Sequence, residues 1–369
     1  MRIAIIGGGI GGLTLALALR HEGLDAVVHE RTPQFGRVGA DINLTPNAVR
    51  ALDPLGVGHE LRSEAARPRF RISRDGYTGE VTSRLPMSDA AEQSYGAPQL
   101  TIHRADLLDA LERAVGDETV RLGHRLDHVE EGPAGTTLHF ADGSTEDADV
   151  VVGADGIHSA VRRSLHGAEH PVFTGTVAYR AVVPTERVDH LTDVDCFTKY
   201  WGSDRFTQIV TFPLTRGEET FVFATAHEES WSQESWTTPG RIEDLRAAYA
   251  DFHEDARALL DACDEVLISA LYVRDPLPTW GSRSATLLGD AAHPMMPFMA
   301  QGAGQAVEDA VVLARCLAAH DTPHALNRYE SLRRERTAQI QLGSRGNEWL
   351  KAGGNADWVY GYDAWAVEV

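Results

Sequence analysis

Six residues, Gly7-Gly8-Gly9-Ile10-Gly11-Gly12, constrain this chain more than any other stretch. They follow a short apolar run at residues 2–6 and open an alanine- and leucine-rich run that ends near residue 22, so the pattern predicts strand, tight turn and helix. In a GxGxxG turn the first glycine, Gly7, permits the tight turn, Gly9 lets the backbone approach a pyrophosphate, and Gly12 lets helix and strand pack closely. The start of the helix then presents unpaired N–H groups and the positive end of its dipole to phosphate. A second strand is expected at residues 25–30. It ends on Glu30, about 20 residues further on, where an acid hydrogen-bonds a ribose hydroxyl. This arrangement predicts a dinucleotide site without separating NAD from FAD. A glycine-rich turn without a ligand is the plainer alternative.

Several other classes are excluded early. Met1 and Arg2 before an apolar run imitate a secretory leader, but the glycines break the apolar helix that a leader needs. No later run of about 18 uncharged apolar residues is present, so no membrane span is expected and the chain reads as cytoplasmic. A formal charge of -20 argues against a nucleic-acid partner and against docking on an anionic membrane. Cys196, Cys263 and Cys316 are far apart and form no CxxC, so neither a disulfide framework nor a metal site is expected.

The 369 residues suit one or two domains. A helix is expected at 107–115, after a loop at 103–105, and strands at 136–140 and 149–153 flank the Asp142-Gly143 turn. Residues 176–184, 198–213 and 220–227 are rich in Val, Thr, Phe, Tyr and Trp and are punctuated by Gly202-Ser203-Asp204 and Arg216-Gly217-Glu218, which predicts an inserted antiparallel sheet. Helical spacing returns at 242–262, a buried strand is expected at 285–288, and a helix at 304–319. The expected division is a discontinuous domain of residues 1–70, 98–175 and 275–335, a second domain of 71–97 and 176–274, and a C-terminal segment of 336–369. Substrate would lie where the two domains meet.

Two further motifs separate the dinucleotides. Asp155-Gly156 lies inside Val150-Val151-Val152-Gly153-Ala154-Asp155-Gly156-Ile157-His158-Ser159, and Gly289-Asp290-Ala291-Ala292-His293-Pro294 follows Thr286-Leu287-Leu288. With the glycine loop, in this order, they resemble the flavoprotein aromatic hydroxylase family over nearly the whole chain. The resemblance implies an α/β fold of the p-hydroxybenzoate hydroxylase type: a Rossmann-like FAD-binding domain with an inserted antiparallel β-sheet substrate domain. It implies FAD as cofactor, NADH or NADPH and O2 as co-substrates, a small aromatic substrate, and a monomer or homodimer. By position, Asp290 resembles the acid that holds a ribityl hydroxyl. Pro297-Phe298-Met299-Ala300-Gln301-Gly302-Ala303 resembles the loop beside the flavin pyrimidine edge, where the N–H groups of Gly302 and Ala303 at a helix start suit the negative charge of reduced flavin. Arg31, Arg37 and Arg104 resemble FAD-contacting arginines, with surface ion pairs as the alternative. Asp155 resembles an acid between the glycine loop and the NAD(P)H phosphates, and a purely structural role is equally compatible.

A narrower resemblance, to the 6-hydroxynicotinate 3-monooxygenase subfamily, is carried by Ser73-Arg74-Asp75-Gly76-Tyr77-Thr78-Gly79, by His293-Pro294-Met295 with Met299-Ala300-Gln301-Gly302, and by Trp358-Val359-Tyr360-Gly361-Tyr362-Asp363. The chain departs from that pattern where the ring should sit: Asn43, Phe206 and Phe298 replace histidines and Val210 replaces a tyrosine. The family chemistry is hydride transfer to FAD, formation of a C4a-hydroperoxide with O2, and attack on it by an electron-rich ring. It calls for a dry chamber. Phe206, Val210, Phe212 and Phe298 are candidates for its wall, ordinary core packing being the other reading. Asn43 and Gln208 can orient a ring but are not bases, so His227 and His293 are the histidines to test as proton acceptors, with Pro297 in the loop at the reacting edge. An FAD-dependent oxidoreductase of the same fold without oxygen insertion is the alternative function.

Overall fold

The structure, a computed structural model, describes residues 1–36, 41–133, 135–204, 206–231, 238–346 and 356–369. The glycine loop rises from a five-stranded sheet in the order Ala285–Leu287, Val150–Gly153, Ile3–Ile6, Ala26–His29, Val120–Arg121. All four pairings are parallel. The central strands read Ile-Ala-Ile-Ile and Val-Val-Val-Gly and are buried at every position, as a parallel sheet covered on both faces requires. Helix Ile10–His21 packs on helix Gly302–Ala319 through Gly11, where a Cβ would lie 2.4 Å from Leu288 Cδ2 and 3.2 Å from Ala306 Cβ.

The second sheet has eight strands, in the order Thr238–Pro239, Leu267–Val273, Val172–Pro184, Glu219–His227, Gln208–Leu214, Phe197–Trp201, Phe70–Asp75, Val81–Pro86. It is antiparallel throughout except where Phe197–Trp201 meets Phe70–Asp75 in parallel. A long connection separates those two strands in sequence, so no hairpin dictates their direction. The expected strand region 198–213 is two strands, divided at the Gly202-Ser203-Asp204 turn, and 242–262 is two helices, Ile242–Ala248 and Glu254–Asp261.

The two faces of this sheet have different partners. Val177, Tyr179, Tyr200, Ile209, Val222 and Ala224 pack under Leu245, Tyr249, Phe252 and Leu259 of the two helices. Ala178, Val210, Phe212, Phe221, Phe223 and Leu271 face the other way, toward Met296 and Phe298. Side chains alternate along a strand, so Ile209 and Val210 reach opposite cores. An antiparallel ribbon, Asp41–Leu44 with Leu100–His103, closes against the end of the sheet, where Thr101 Oγ1 donates to Pro213 O at 2.7 Å.

Helix Thr322–Ser344 was not among the expected elements. Its buried positions include Arg333, Thr337, Gln341 and Ser344, so the apolar period that reveals a helix is absent. Those polar groups are internally matched. Arg333, fully buried, donates to Asp309 Oδ1 at 2.7 Å, Glu308 Oε2 at 2.6 Å and Gln305 Oε1 at 2.7 Å. Arg336 and Asn47 also donate to Glu308, at 2.9 and 2.6 Å. Burial alone would raise both acids, but Arg333 and Arg336 hold Glu308, and His293 and Arg333 hold Asp309, below the ordinary carboxylate range. Arg333→Met should therefore cost about 3–5 kcal/mol by removing the fully buried cation that Glu308 and Asp309 share. Chemical denaturation measures it. Because the folded-state pKa values are depressed, this contribution is fully present above the ordinary carboxylate range and is lost as pH falls below that range through the depressed folded-state values, so wild type and variant should converge in acid.

Candidate active site

Gly7 has φ +108°, and a Cβ there would fall 2.4 Å from Ala154 O. At Gly12 a Cβ would lie 1.9 Å from Gly7 O, so this residue sets the approach of helix to strand. At Gly9 a Cβ would meet nothing within 4 Å: the backbone is bare on the side that faces outward from the turn. Gly9 caps the helix without a side-chain acceptor, which leaves the first-turn N–H groups available to an anion. Glu30 is turned back onto the loop, with Oε2 accepting from Gly8 N at 2.7 Å and Oε1 from Thr32 N at 2.9 Å. Each oxygen keeps a second lone pair, so Glu30 braces the turn and can still accept from a hydroxyl. Arg31 is exposed beside it, and Arg37 lies outside the described residues.

A second group converges from two distant segments. Asp290 sits in the turn Gly289–Ala291, Arg104 is the first residue of helix Arg104–Val115, and His293 follows the turn. The protein packed around Asp290 pushes its carboxyl up, while the nearby His293 and Arg104 pull it down. Burial lowers Arg104, and Asp290 pulls it back up. Next to them begins the helix Gly302–Ala319, whose N-cap Gln301 forms no side-chain cap, so the N–H groups of Gly302 and Ala303 point out of the helix start. Gln301 instead ties this turn to the neighbouring segment, donating to Thr45 Oγ1 at 2.8 Å.

Three of the sequence candidates turn out to have structural occupations. Asp155 Oδ1 accepts from Ser159 Oγ at 2.5 Å and Oδ2 from Ala160 N at 2.6 Å, so its carboxylate caps helix Ala160–His166. His293 is buried, and its Nε2 bonds Asp309 Oδ2 at 2.6 Å; that same oxygen accepts from Gly289 N at 3.1 Å. His293 thus fixes the Asp290 turn through Nε2, which donates to the carboxylate, while its buried Nδ1 has no partner among the described residues. His227 is exposed at a strand end, donating from Nδ1 to Gly175 O at 2.8 Å.

The substrate candidates divide in the same way. Val210 and Phe298 share one apolar cluster with Phe212, Phe223, Leu271 and Met296. Gln208 is one row further along, 1% exposed, and neither end of its amide has a partner among the described residues. Phe206 stacks loosely on His227, with ring centroids 5.0 Å apart, at the rim. Asn43 is buried on the ribbon, its Oδ1 accepting from Gln99 Nε2 at 2.8 Å and its Nδ2 without a partner among the described residues. Pro297 is exposed at the head of the Phe298 turn. Sequence reasoning missed Arg180 and Lys199 on the same sheet face. A charged residue inside an otherwise apolar strand, as in Ala178-Tyr179-Arg180-Ala181-Val182, was the available signal.

A bare backbone at Gly9, an uncapped helix start at Gly302 and the Asp290–Arg104 pair together fit a dinucleotide with a flavin end, and a dry wall beside that end fits a ring substrate. The chain belongs to the FAD binding domain family, which it matches over residues 1–342, and is an FAD-dependent aromatic-ring monooxygenase. It is 39% identical over 369 residues to the 6-hydroxynicotinate 3-monooxygenase of Bordetella bronchiseptica, covering 99% of this chain and 96% of the relative. It is 39% identical over 346 residues to the 3-amino-4-hydroxybenzoate 2-monooxygenase PtnB3 of Streptomyces platensis, covering 93% and 87%. A salicylate hydroxylase substrate complex superposes with a TM-score of 0.85 at 30% identity, covering 99% of this chain and 96% of that one. No helix among the described residues is long and apolar enough to cross a membrane.

Two substitutions separate the loop glycines. Gly9→Ala should leave thermal stability nearly unchanged and lower FAD content, since its methyl meets no protein atom but occupies the phosphate side. Gly12→Ala should lower both, by driving the helix off its strand. Thermal melts with flavin quantified by absorbance distinguish them. Asp290→Ala should weaken FAD binding by about 1.5–3 kcal/mol, the value of a hydrogen bond to a charged group, in a protein that stays folded. Flavin titration of the apoprotein measures it, and wild-type affinity would remove Asp290 from the cofactor site.

Proposed function

We propose that the protein adds one hydroxyl to a monocyclic aromatic ring already bearing a hydroxyl and a carboxylate, consuming NADH or NADPH and O2. The observation that carries this reading is the apolar wall of Val210, Phe212, Phe223, Leu271, Met296 and Phe298 between the sheet and the turn that precedes the Gly302 helix. Bound FAD supplies hydride acceptance from the nicotinamide and transfer of one oxygen atom to the ring; Gly9, Arg104, Asp290, Gly302 and Ala303 would hold it. The wall excludes water, which would otherwise divert reduction toward hydrogen peroxide. The Asn43 amide, with Nδ2 directed to no protein acceptor, and the Gln208 amide orient the ring hydroxyl. The carboxylate is supported by the names of the relatives, which act on hydroxynicotinate, aminohydroxybenzoate, 6-methylsalicylate and 3-hydroxybenzoate.

The pyridine ring is disfavoured. Phe298 and Val210 stand in the apolar cluster where the 6-hydroxynicotinate pattern has imidazole and phenol, so polar atoms of a pyridine would be buried unpaired. One such loss costs about 1–3 kcal/mol, so turnover of 6-hydroxynicotinate should fall below that of the best hydroxybenzoate by about tenfold or more in kcat/KM. Steady-state NAD(P)H oxidation with product identification checks this. A highest kcat/KM and clean hydroxylation for 6-hydroxynicotinate would overturn the ring assignment, and nicotinamide oxidation with no hydroxylated product from any ring would favour an oxidoreductase without oxygen insertion.

A further inference from the structure

We infer that Lys199 is the residue that receives the substrate's carboxylate, an assignment that rests on the ring-carboxylate reading above. The sheet registers place Arg180 opposite Phe223, Phe223 opposite Val210, and Val210 opposite Lys199. Residues opposite one another across a sheet share a face, so these four form one row on the side of the apolar wall. The row has a cation at each end and Phe223 and Val210, both wall residues, between them.

The two cations differ in their surroundings. Arg180 donates to Ser269 Oγ and lies beside the Asp41 carboxylate, at the end of the row that adjoins the Asp41–Leu44 ribbon. Lys199 is half-buried, its ammonium 3.7 Å from the Trp201 ring centroid and 5.8 Å from that of Phe298. Phe298 belongs to the turn that precedes the Gly302 helix, so the ammonium stands where the sheet meets the flavin side. Directly opposite residues have Cβ atoms about 4.5–5.5 Å apart, so a ring resting on Val210 brings its rim within reach of the four-carbon stem of Lys199. Aromatic faces on two sides hold the ammonium in place and partly shield it from water, which strengthens its attraction for an incoming anion.

The test uses FAD-loaded wild type, Lys199→Gln, Lys199→Arg and Arg180→Gln, each checked for flavin content. Salicylate, 3-hydroxybenzoate and 4-hydroxybenzoate are titrated by perturbation of the flavin spectrum, with phenol as the carboxylate-free control. For the hydroxybenzoate that wild type binds tightest, Kd should rise about tenfold or more in Lys199→Gln and be largely restored in Lys199→Arg, with phenol binding unchanged. Equal weakening of phenol, an unaltered hydroxybenzoate Kd, selective loss in Arg180→Gln in place of Lys199→Gln, or failure of wild type to bind any hydroxybenzoate would each overturn the assignment. Product analysis keeps the two claims apart. A selective loss in a protein that hydroxylates no ring upholds the anchor and defeats the reaction, whereas clean hydroxylation with an unselective Lys199→Gln does the reverse.

Discussion

Arg333 holds Glu308 and Asp309 together in the fully buried interior, and two parts of the cofactor region are referred to this point. Asp309 reaches Gly289 N and His293, which sets the turn carrying Asp290. Glu308 reaches Asn47, and Asn47 with Gln301 sets the start of the Gly302 helix. Each buried ion answers to more than one fixed partner, so the network admits one arrangement far more readily than its neighbours. The Asp290 turn and the start of the Gly302 helix thus take their positions from side chains packed behind them.

The eight-stranded sheet works on a different principle. One face is consumed by helices Ile242–Ala248 and Glu254–Asp261, which makes it a rigid backing. The other is left to the turn carrying Met296 and Phe298, so the chamber wall and the flavin-side loop share one apolar cluster. Polar groups enter this face singly, at Gln208, Arg180 and Lys199, an arrangement that under the proposed function would select a ring by its substituents.

How much of this was readable in advance follows from how each feature is encoded. The glycine loop was legible because Gly7 and Gly12 answer to contacts within a few residues of chain or with the adjoining strand, and these leave a fixed spacing. The Gln208–Leu214 strand was recognisable as a strand from its composition, but not which of its residues face substrate, because it is buried on both sides and no polar alternation marks a face. Helix Thr322–Ser344 was missed because Arg333, Thr337, Gln341 and Ser344 interrupt the apolar period of its inward side. Its Arg333 looks like a surface residue until its partners on another helix are known. His293 has a structural partner that the sequence could not show: Asp309 is 16 residues away and is recognised as a partner only once the helix is placed.

The sequence by itself determined the local devices: the turn that can take a pyrophosphate, the Asp290 motif, the family and the cofactor. Each is written in consecutive residues whose sterics and hydrogen bonding are local. Pairing across the fold determined the rest. That Arg104 stands by Asp290 depends on how two distant segments pack, and that Lys199 and Arg180 end one row across Val210 and Phe223 depends on strand register. Register moves every side chain of a strand together, and a slip of one residue would turn the whole row to the opposite face.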